Sequence, residues 1–557
     1  MHRLCPYFGA ADPCYSLSCG FRHGKKLGMA YRSVWLARLW LCALGILATS
    51  SGHAGAAQLY AADGLEVRWD NMLRYSAALR LDSPSVELLS YVNGDDGDRN
   101  FAPGLVSNRF NLLSKLDIAA GDFGVHASAA AWYDTVYQSH TDNTSPATSN
   151  AAAPARQFAS AVRSLEGQHA ELDNAFAYGN FTLAQMPVYV RAGRQTLLGG
   201  ESHFFDASSI AAAMAPTDYL KTMTDQDGYS GNMFLPVTQV SLTLQPLPWL
   251  SLSLYDQFEW RASRQLGDGS LLSYLDYVGA GAARLFLTPD RYLVRGSDSG
   301  PASGQYGIML RSSVADMDLG LYAFRFRAKD PIVALAPDPA LAGQTGAIGY
   351  YRLVYPSGIN LYGASFSTQL GDNTLAGEFS ARRNMPLVSY DPRMPQLAAP
   401  TGSPYYDYAK GDTLHAQVSI VTELAQTPVW DRADAAMEIA TDHILGLTGT
   451  GGASTGAGAP AFSRFAMKAR ARIEPHYFQV LPNLDITGVA ELGYNLAGRS
   501  FTYYAQDSGS GDFRIGVSGT YLSAWKAGLT FIGFLGAPSR QPLADRNFVM
   551  LSMERTF

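Results

Sequence analysis

Beyond residue 42 the 557-residue sequence contains no cysteine; Cys5, Cys14, Cys19 and Cys42 all stand near the N-terminus. A chain body without cysteine has neither a disulfide framework nor a thiolate metal site. It also suits passage through an oxidising periplasm. Long apolar runs are nearly absent as well. One runs through Trp40, Leu41, Ala43, Leu44, Ile46 and Leu47, after Arg32 and Arg38 and before Ala54-Gly55-Ala56. It is too short for a membrane-spanning helix and has the parts of a secretory signal, with cleavage after Ala56 or Ala57. The sequence predicts an upstream extension over 1–28, a signal peptide over 29–57 and one domain over 58–557, with Met1 and Met29 both open as starts. Positive charge is scarce too. Residues 1–57 hold six of the 42 Lys and Arg but one of the 48 Asp and Glu, leaving a net charge of −11 beyond them. Nucleic acid as a partner is excluded on that balance, since it asks for a basic surface.

What is present is alternation. From Leu65 to Leu81 the odd positions are apolar except Asn71, while Glu66, Arg68, Asp70, Arg74 and Arg80 occupy even ones. Side chains of a strand point to opposite faces in turn, so one face here is apolar and the other charged. The stretch exceeds the ~5–6 residues usual for soluble strands. Such segments recur to 548–557, about 18 in all, with 16 a possible count. Their connections alternate between short turns, such as Ala120-Gly121-Asp122, and long loops, roughly 82–108, 135–170, 197–237, 261–304, 328–358, 385–411 and 444–463. The pattern predicts an all-β fold: a transmembrane antiparallel up-and-down barrel with short periplasmic turns and long extracellular loops. About eight residues separate the expected cleavage point from the first strand, too few for a plug domain.

Four stretches, Leu105-Val106-Ser107-Asn108-Arg109, Leu172 to Phe181, Gly193-Arg194-Gln195, and Tyr255-Asp256-Gln257-Phe258-Glu259-Trp260, resemble a proteobacterial outer-membrane family catalogued as domain of unknown function 1302. The resemblance implies a Gram-negative outer-membrane barrel with no established substrate or catalytic site. One departure is Gly199, which stands before Gly200-Glu201 where the family pattern leads us to expect an aromatic residue.

An 18-strand barrel is wide enough for water, so the lumen decides function. The segment 197–237 is the candidate for an inward-folded constriction. Its acids are Glu201, Asp206, Asp218, Asp225 and Asp227, and its single Lys or Arg is Lys221. Asp206 is placed to cap a short helix through Ser208–Met214. Around 464–474, Phe465, Met467, Ala469, Ala471 and Ile473 suit lipid, while Arg464, Lys468, Arg470 and Arg472 take the lumenal parity. Cations two residues apart, joined by Arg191 and Arg382, could pass an anionic group stepwise. Alternatively they pair with lumenal acids such as Glu378, Asp434 and Glu438 and stiffen the wall. The terminal Phe557 resembles the signal read by barrel-assembly machinery.

No enzyme is predicted. Gly452-Ala453-Ser454-Thr455-Gly456 matches a nucleophile elbow, but it lies in a Gly-rich loop rather than a strand-to-helix turn. Asp95, Asp96, Asp98 and Asn100 lack the glycine and distal glutamate of an EF-hand, and His415 has no zinc partners at motif spacing, so no metal and no cofactor is assigned. The expectation is a passive channel for small organic solutes, with anionic or carboxylate-bearing ones favoured and lipid as the surroundings. Transport of lipids or steroids and a non-conducting adhesive barrel are the rivals. Oligomeric state is left open.

Overall fold

The computed structural model describes residues 57–62, 64–224, 233–298, 304–341, 346–387, 408–450, 462–501 and 507–557. The expected extension and nearly all of the signal peptide, all four cysteines, Asp225, Asp227 and the Gly452–Gly456 motif lie outside them.

Twenty-three strands follow in chain order among the described residues. They are β1 Ala57–Ala62, β2 Leu65–Arg80, β3 Gly104–Ala120, β4 Phe123–Asp134, β5 Gln168–Leu183 and β6 Met186–Gln195. Then come β7 Val237–Leu247, β8 Leu250–Gln257, β9 Arg284–Thr288, β10 Arg291–Arg295, β11 Gln305–Val314 and β12 Met317–Phe326. Next are β13 Ile332–Pro337, β14 Ala347–Val354, β15 Ile359–Leu370, β16 Asn373–Pro386, β17 Ala409–Leu424 and β18 Arg432–Thr450. The last are β19 Phe465–Leu481, β20 Leu484–Ala497, β21 Gly511–Tyr521, β22 Trp525–Leu535 and β23 Phe548–Thr556.

Eighteen of these form one closed antiparallel barrel. Each pairs with its neighbour, and β2 pairs with β23, Met72 opposite Thr556 through Arg80 opposite Phe548, to close the ring. Closure leaves no sheet edge for lipid to meet. All 18 coincide with segments read from alternation. Phe557 continues the seam: its backbone N–H and C=O exchange bonds of 2.9 Å with Asn71.

The period of two explains the wall. Along β12, Leu319, Leu321 and Ala323 are exposed while Gly320, Tyr322, Phe324 and Phe326 are buried. Val418 and Ile420 on β17, and Ile515 and Val517 on β21, lie on the same outer belt. Arg555 interrupts the outer parity of β23; its guanidinium lies 4.8 Å from the centre of the Trp525 ring, which shelters the charge at the short-turn end.

Two features departed from expectation. β1 is an extra short strand that pairs with Leu65–Trp69 beside the end of β23. The loops 258–304 and 327–358 are not irregular: β13, β14, β10 and β9 form a separate four-stranded sheet, with β10 and β14 parallel. Tyr277, Leu285, Leu293, Leu335 and Tyr351 fill its core.

Candidate functional site

The loop after β6 runs inward. Its residues 199–215 lie against lumenal side chains of strands far away in sequence. One flank is apolar: Ile210, Ala213 and Met214 pack on Tyr255, Met309, Tyr322, Phe324, Ile359 and Leu361 of β8, β11, β12 and β15. The other flank is polar. Glu378 on β16 accepts the N–H of Glu201 at 2.7 Å and of Ile210 at 2.8 Å. Glu438 on β18 accepts those of His203, Phe204 and Phe205 at 3.1, 2.5 and 3.1 Å. The Arg382 guanidinium donates to the Ser208 and Ser209 carbonyls at 2.6 and 2.8 Å. A loop buried inside a barrel must satisfy its backbone polar groups, and these carboxylates and this guanidinium do so.

Gly200 has φ +97°, and an added Cβ would meet Glu378 Oε2 at 2.2 Å, so only glycine lets the next N–H reach that carboxylate. At Gly199 a Cβ would already stand 3.0–3.3 Å from Tyr322, Met309 and Met214. The small residue fits the loop to its apolar flank, where an aromatic one would not.

The helix expected over Ser208–Met214 is two short 3₁₀ turns, Asp206–Ser208 and Ile210–Ala213. Asp206 is not the cap of the second. Ser209 is, accepting the Ala212 N–H at 3.3 Å, while Asp206 lies inside the preceding turn. Farther on, Asp218 and Lys221 turn to the opposite wall. Arg264 pairs with Asp218 at 3.0 Å and also with Glu171 of β5. Lys221 lies 3.5–3.8 Å from Glu171, Asp173 and Asp218. Beside the apolar flank, on β6, β7, β8 and β11, Gln195, Gln239, Gln257 and Gln305 form a chain of amides. Lys329 ties that chain to the loop, donating to Gln305 Oε1 at 3.3 Å and the Ala213 carbonyl at 2.8 Å.

The expected basic row does not stand as a single wall. Arg382 is covered by the loop it holds. Lys468 is 6% exposed beneath Phe205, its Nζ 4.9 Å from the ring centre. Arg470 bridges Glu491 at 2.5 Å and Asp512 at 2.7 Å. Arg472 lies over Phe204 at 5.4 Å. Arg464 is exposed just before β19, and Arg191 sits over Phe176 at 5.3 Å on the far wall. Acids that engage this row include Glu491 and Asp512 at Arg470, and Glu474, 3.6 Å from Arg472; Asp434, named in the pairing alternative, meets His476 at 2.9 Å and Arg432 at 3.3 Å. His415 hydrogen-bonds Asp442 at 2.6 Å and Thr413 at 2.9 Å, a structural relay within the wall.

Against the β2–β5 wall a cavity of about 210 Å³ remains. Arg74, Arg109, Asn111, Lys115, His126 and Asp173 line its side, with Lys221 from the inserted loop. Its ceiling is apolar: Val106, Leu271, Leu272, Phe548 and Met550. Arg109 lies 4.8 Å over the Trp132 ring, whose N–H donates to the Leu165 carbonyl at 2.8 Å. Glu166 also borders the cavity and accepts the Gly267 N–H at 2.9 Å. Burial pushes its carboxyl up to about 7. A second cavity, about 270 Å³, lies beside the Pro248-Trp249 turn, bordered by Glu201 and Arg311. Sequence reasoning missed Trp132, Arg109 and Lys115 as cavity residues, because a single aromatic or cationic residue on an ordinary alternating strand carries no motif.

The sequence profile of the family described as protein of unknown function (DUF1302) matches residues 36–557. The chain belongs to the DUF1302 family. The resemblance seen in the four stretches above therefore extends through the barrel to its last residue. No curated protein matches the sequence. Solved structures similar to this DUF1302 chain include OccAB1 and OccAB3 of Acinetobacter baumannii, each 10% identical. OccAB1 has a TM-score of 0.41, over 90% of this chain and 99% of that one. OccAB3 has a TM-score of 0.40, over 88% and 99%. The outer membrane channel DcaP of the same organism is 10% identical, with a TM-score of 0.38 over 91% and 100%.

Proposed function

We propose that this protein is a passive channel in the outer membrane of a Gram-negative bacterium, exported by the segment 29–57 and assembled as the single domain 58–557. Recognition of Phe557 by the assembly machinery fits its place at the barrel seam. The observation that carries the reading is the loop at 197–237: residues 199–215 are seated on both flanks of the lumen, and Lys221 farther along the loop borders the cavity against the β2–β5 wall. A loop held by buried hydrogen bonds sets pore size without needing a cofactor or an energy source.

Small organic solutes fit a space of about 210 Å³. Lys115, Arg109 and Arg74 on one side, and an apolar ceiling on the other, favour a solute with a carboxylate and a compact apolar body. The basic row of β19 is not part of this path, since its members hold the loop or pair with acids. A second reading, passage of apolar compounds such as lipids or steroids, draws on the same ceiling of Leu271, Leu272, Phe548 and Met550. It requires the apolar surface to continue out through the wall.

Single-channel recording of the purified protein in planar bilayers tests the proposal. Wild type should conduct ions, and removal of residues 201–214 should raise the unit conductance several-fold. A wild-type barrel that passes no ions would overturn the open-channel reading and leave the adhesive or structural barrel.

A further inference from the structure

The loops at the long-loop end bury three carboxylates together. Asp96, from the loop after β2, meets Asp268 and Asp276, from the loop after β8. One oxygen of each lies within 4.8 Å of the others. Of the acids singled out in the sequence, only Asp96 joins this cluster. Asp95 pairs with Arg99 at 2.6 Å, Asp98 is clamped by Arg80 and Arg546 at 2.8 and 3.0 Å, and Asn100 donates to the Gly269 carbonyl at 2.8 Å.

Two members accept hydrogen bonds from neighbouring groups. Asp276 accepts from the Asp96 and Gly269 N–H groups and the Ser273 hydroxyl at 2.8, 3.2 and 2.6 Å. Asp96 Oδ2 accepts from Ser149 and Asn150 at 3.1 and 2.8 Å. Asp268 is different. It is 2% exposed, and no N–H or O–H among the described residues donates to either of its oxygens or to Asp96 Oδ1; the Asp276 carboxylate itself stands within hydrogen-bonding reach of Asp268. The guanidiniums nearby are aimed elsewhere: Arg546 at Asp98, and Arg295 at Asp298 and the Val278 and Gly279 carbonyls. Buried carboxylates with orphan oxygens and no adjoining cation are costly unless something neutralises them.

We infer that Asp96, Asp268 and Asp276 form a binding site for a hard divalent cation of the calcium type, which cross-links the loops 81–103 and 258–283. Carboxylate oxygens surround calcium at ~2.3–2.6 Å, so oxygens on opposite sides of one ion lie about 5 Å apart, the scale of this cluster. Oxygen-only donors exclude the softer metals. The backbone is built for the approach: a Cβ on Gly97 would meet the Ser270 carbonyl oxygen at 2.4 Å, and one on Gly269 would lie 3.3 Å from Asp96 Cβ. The alternative is a proton shared within the trio, for which burial and mutual repulsion raise the carboxyls of Asp96 and Asp268 far above their ordinary range.

Calorimetric titration of the whole purified protein with calcium chloride, at pH 7 in detergent free of lipopolysaccharide, separates the two. The site predicts one calcium bound per chain at about 10⁻⁴–10⁻³ M. Chelation should lower the unfolding temperature by several degrees. Asp268→Asn, which mimics the protonated acid, should remove that calcium while circular dichroism keeps the barrel signal; Glu201→Gln, a distant carboxylate, should keep it. A wild type that neither binds calcium nor changes its unfolding temperature would overturn the assignment. So would an Asp268→Asn variant that binds calcium like wild type. If Asp268→Asn fails to fold, the wild-type titration and chelation still decide.

Discussion

The lumenal faces of β16–β19 and of β2–β5 are both charged, and alternation turns both inward. On β16–β19, Glu378, Arg382, Glu438 and Lys468 are covered by residues 199–215, and three of them bond that loop directly. On β2–β5, Arg74, Arg109, Lys115 and His126 line a cavity; Lys115 is exposed, while Arg74 and Arg109 are largely buried. The same parity rule places both sets inside, yet one set holds a loop and the other borders a cavity. Position on the lumenal face therefore does not distinguish an anchor from a pore lining. Hydrogen-bonded backbone from elsewhere in the chain does.

The largest effect should come from breaking the anchored wall. The double substitution Glu378→Leu, Glu438→Leu leaves five loop N–H groups without acceptors. Each unpaired buried group costs ~1–3 kcal/mol, enough in sum to unseat the loop. Unit conductance should rise several-fold towards that of the loop-deleted barrel. Unchanged conductance would mean that the apolar flank alone holds the loop.

Arg382→Met tests one anchor. It leaves the Ser208 carbonyl bare and the Ser209 carbonyl with only the Ala212 N–H, at about 1–3 kcal/mol. Amide hydrogen exchange should accelerate over 206–212 and stay slow along β16–β19. Equal protection in mutant and wild type would show that Arg382 does not hold the loop.

On the open side, Glu166 gives a pH dependence. Its carboxyl is raised to about 7, so the folded protein keeps a proton there that an unfolded chain releases near its ordinary, lower pKa. The stabilisation from that proton is complete below the unfolded pKa and is lost as pH rises through about 7. Ionisation above 7 adds negative charge beside the cavity, so anion permeability relative to cation should fall between pH 6 and 8. Glu166→Gln should flatten the profile. A wild-type profile already flat across that range would contradict the placement of Glu166.

The barrel was legible because a period of two survives in every one of its 18 strands, and because loop lengths segregate by end. The inward loop was legible as a length and a charge pattern. Its seat was not. Glu378 and Glu438 are single acids on alternating strands, more than 160 residues from the backbone they hold, and parity says only that they face inward. The sheet of β9, β10, β13 and β14 escaped because its strands are short and one pairing is parallel and non-local. The Asp96 cluster escaped for the same reason: its partners lie about 170 residues away, outside any spacing motif. Asp206 looked like a cap because Asp is a good one, but Ser209 stands at the turn that needs capping.

The most direct test removes one positive charge from each wall. Lys115→Met takes away an exposed ammonium bordering the cavity, and Lys468→Met one buried beneath Phe205. Reversal potentials across a salt gradient should shift towards cation preference for Lys115→Met and stay near wild type for Lys468→Met. The reverse order would show that β19, not the β2–β5 wall, is the surface that solutes meet.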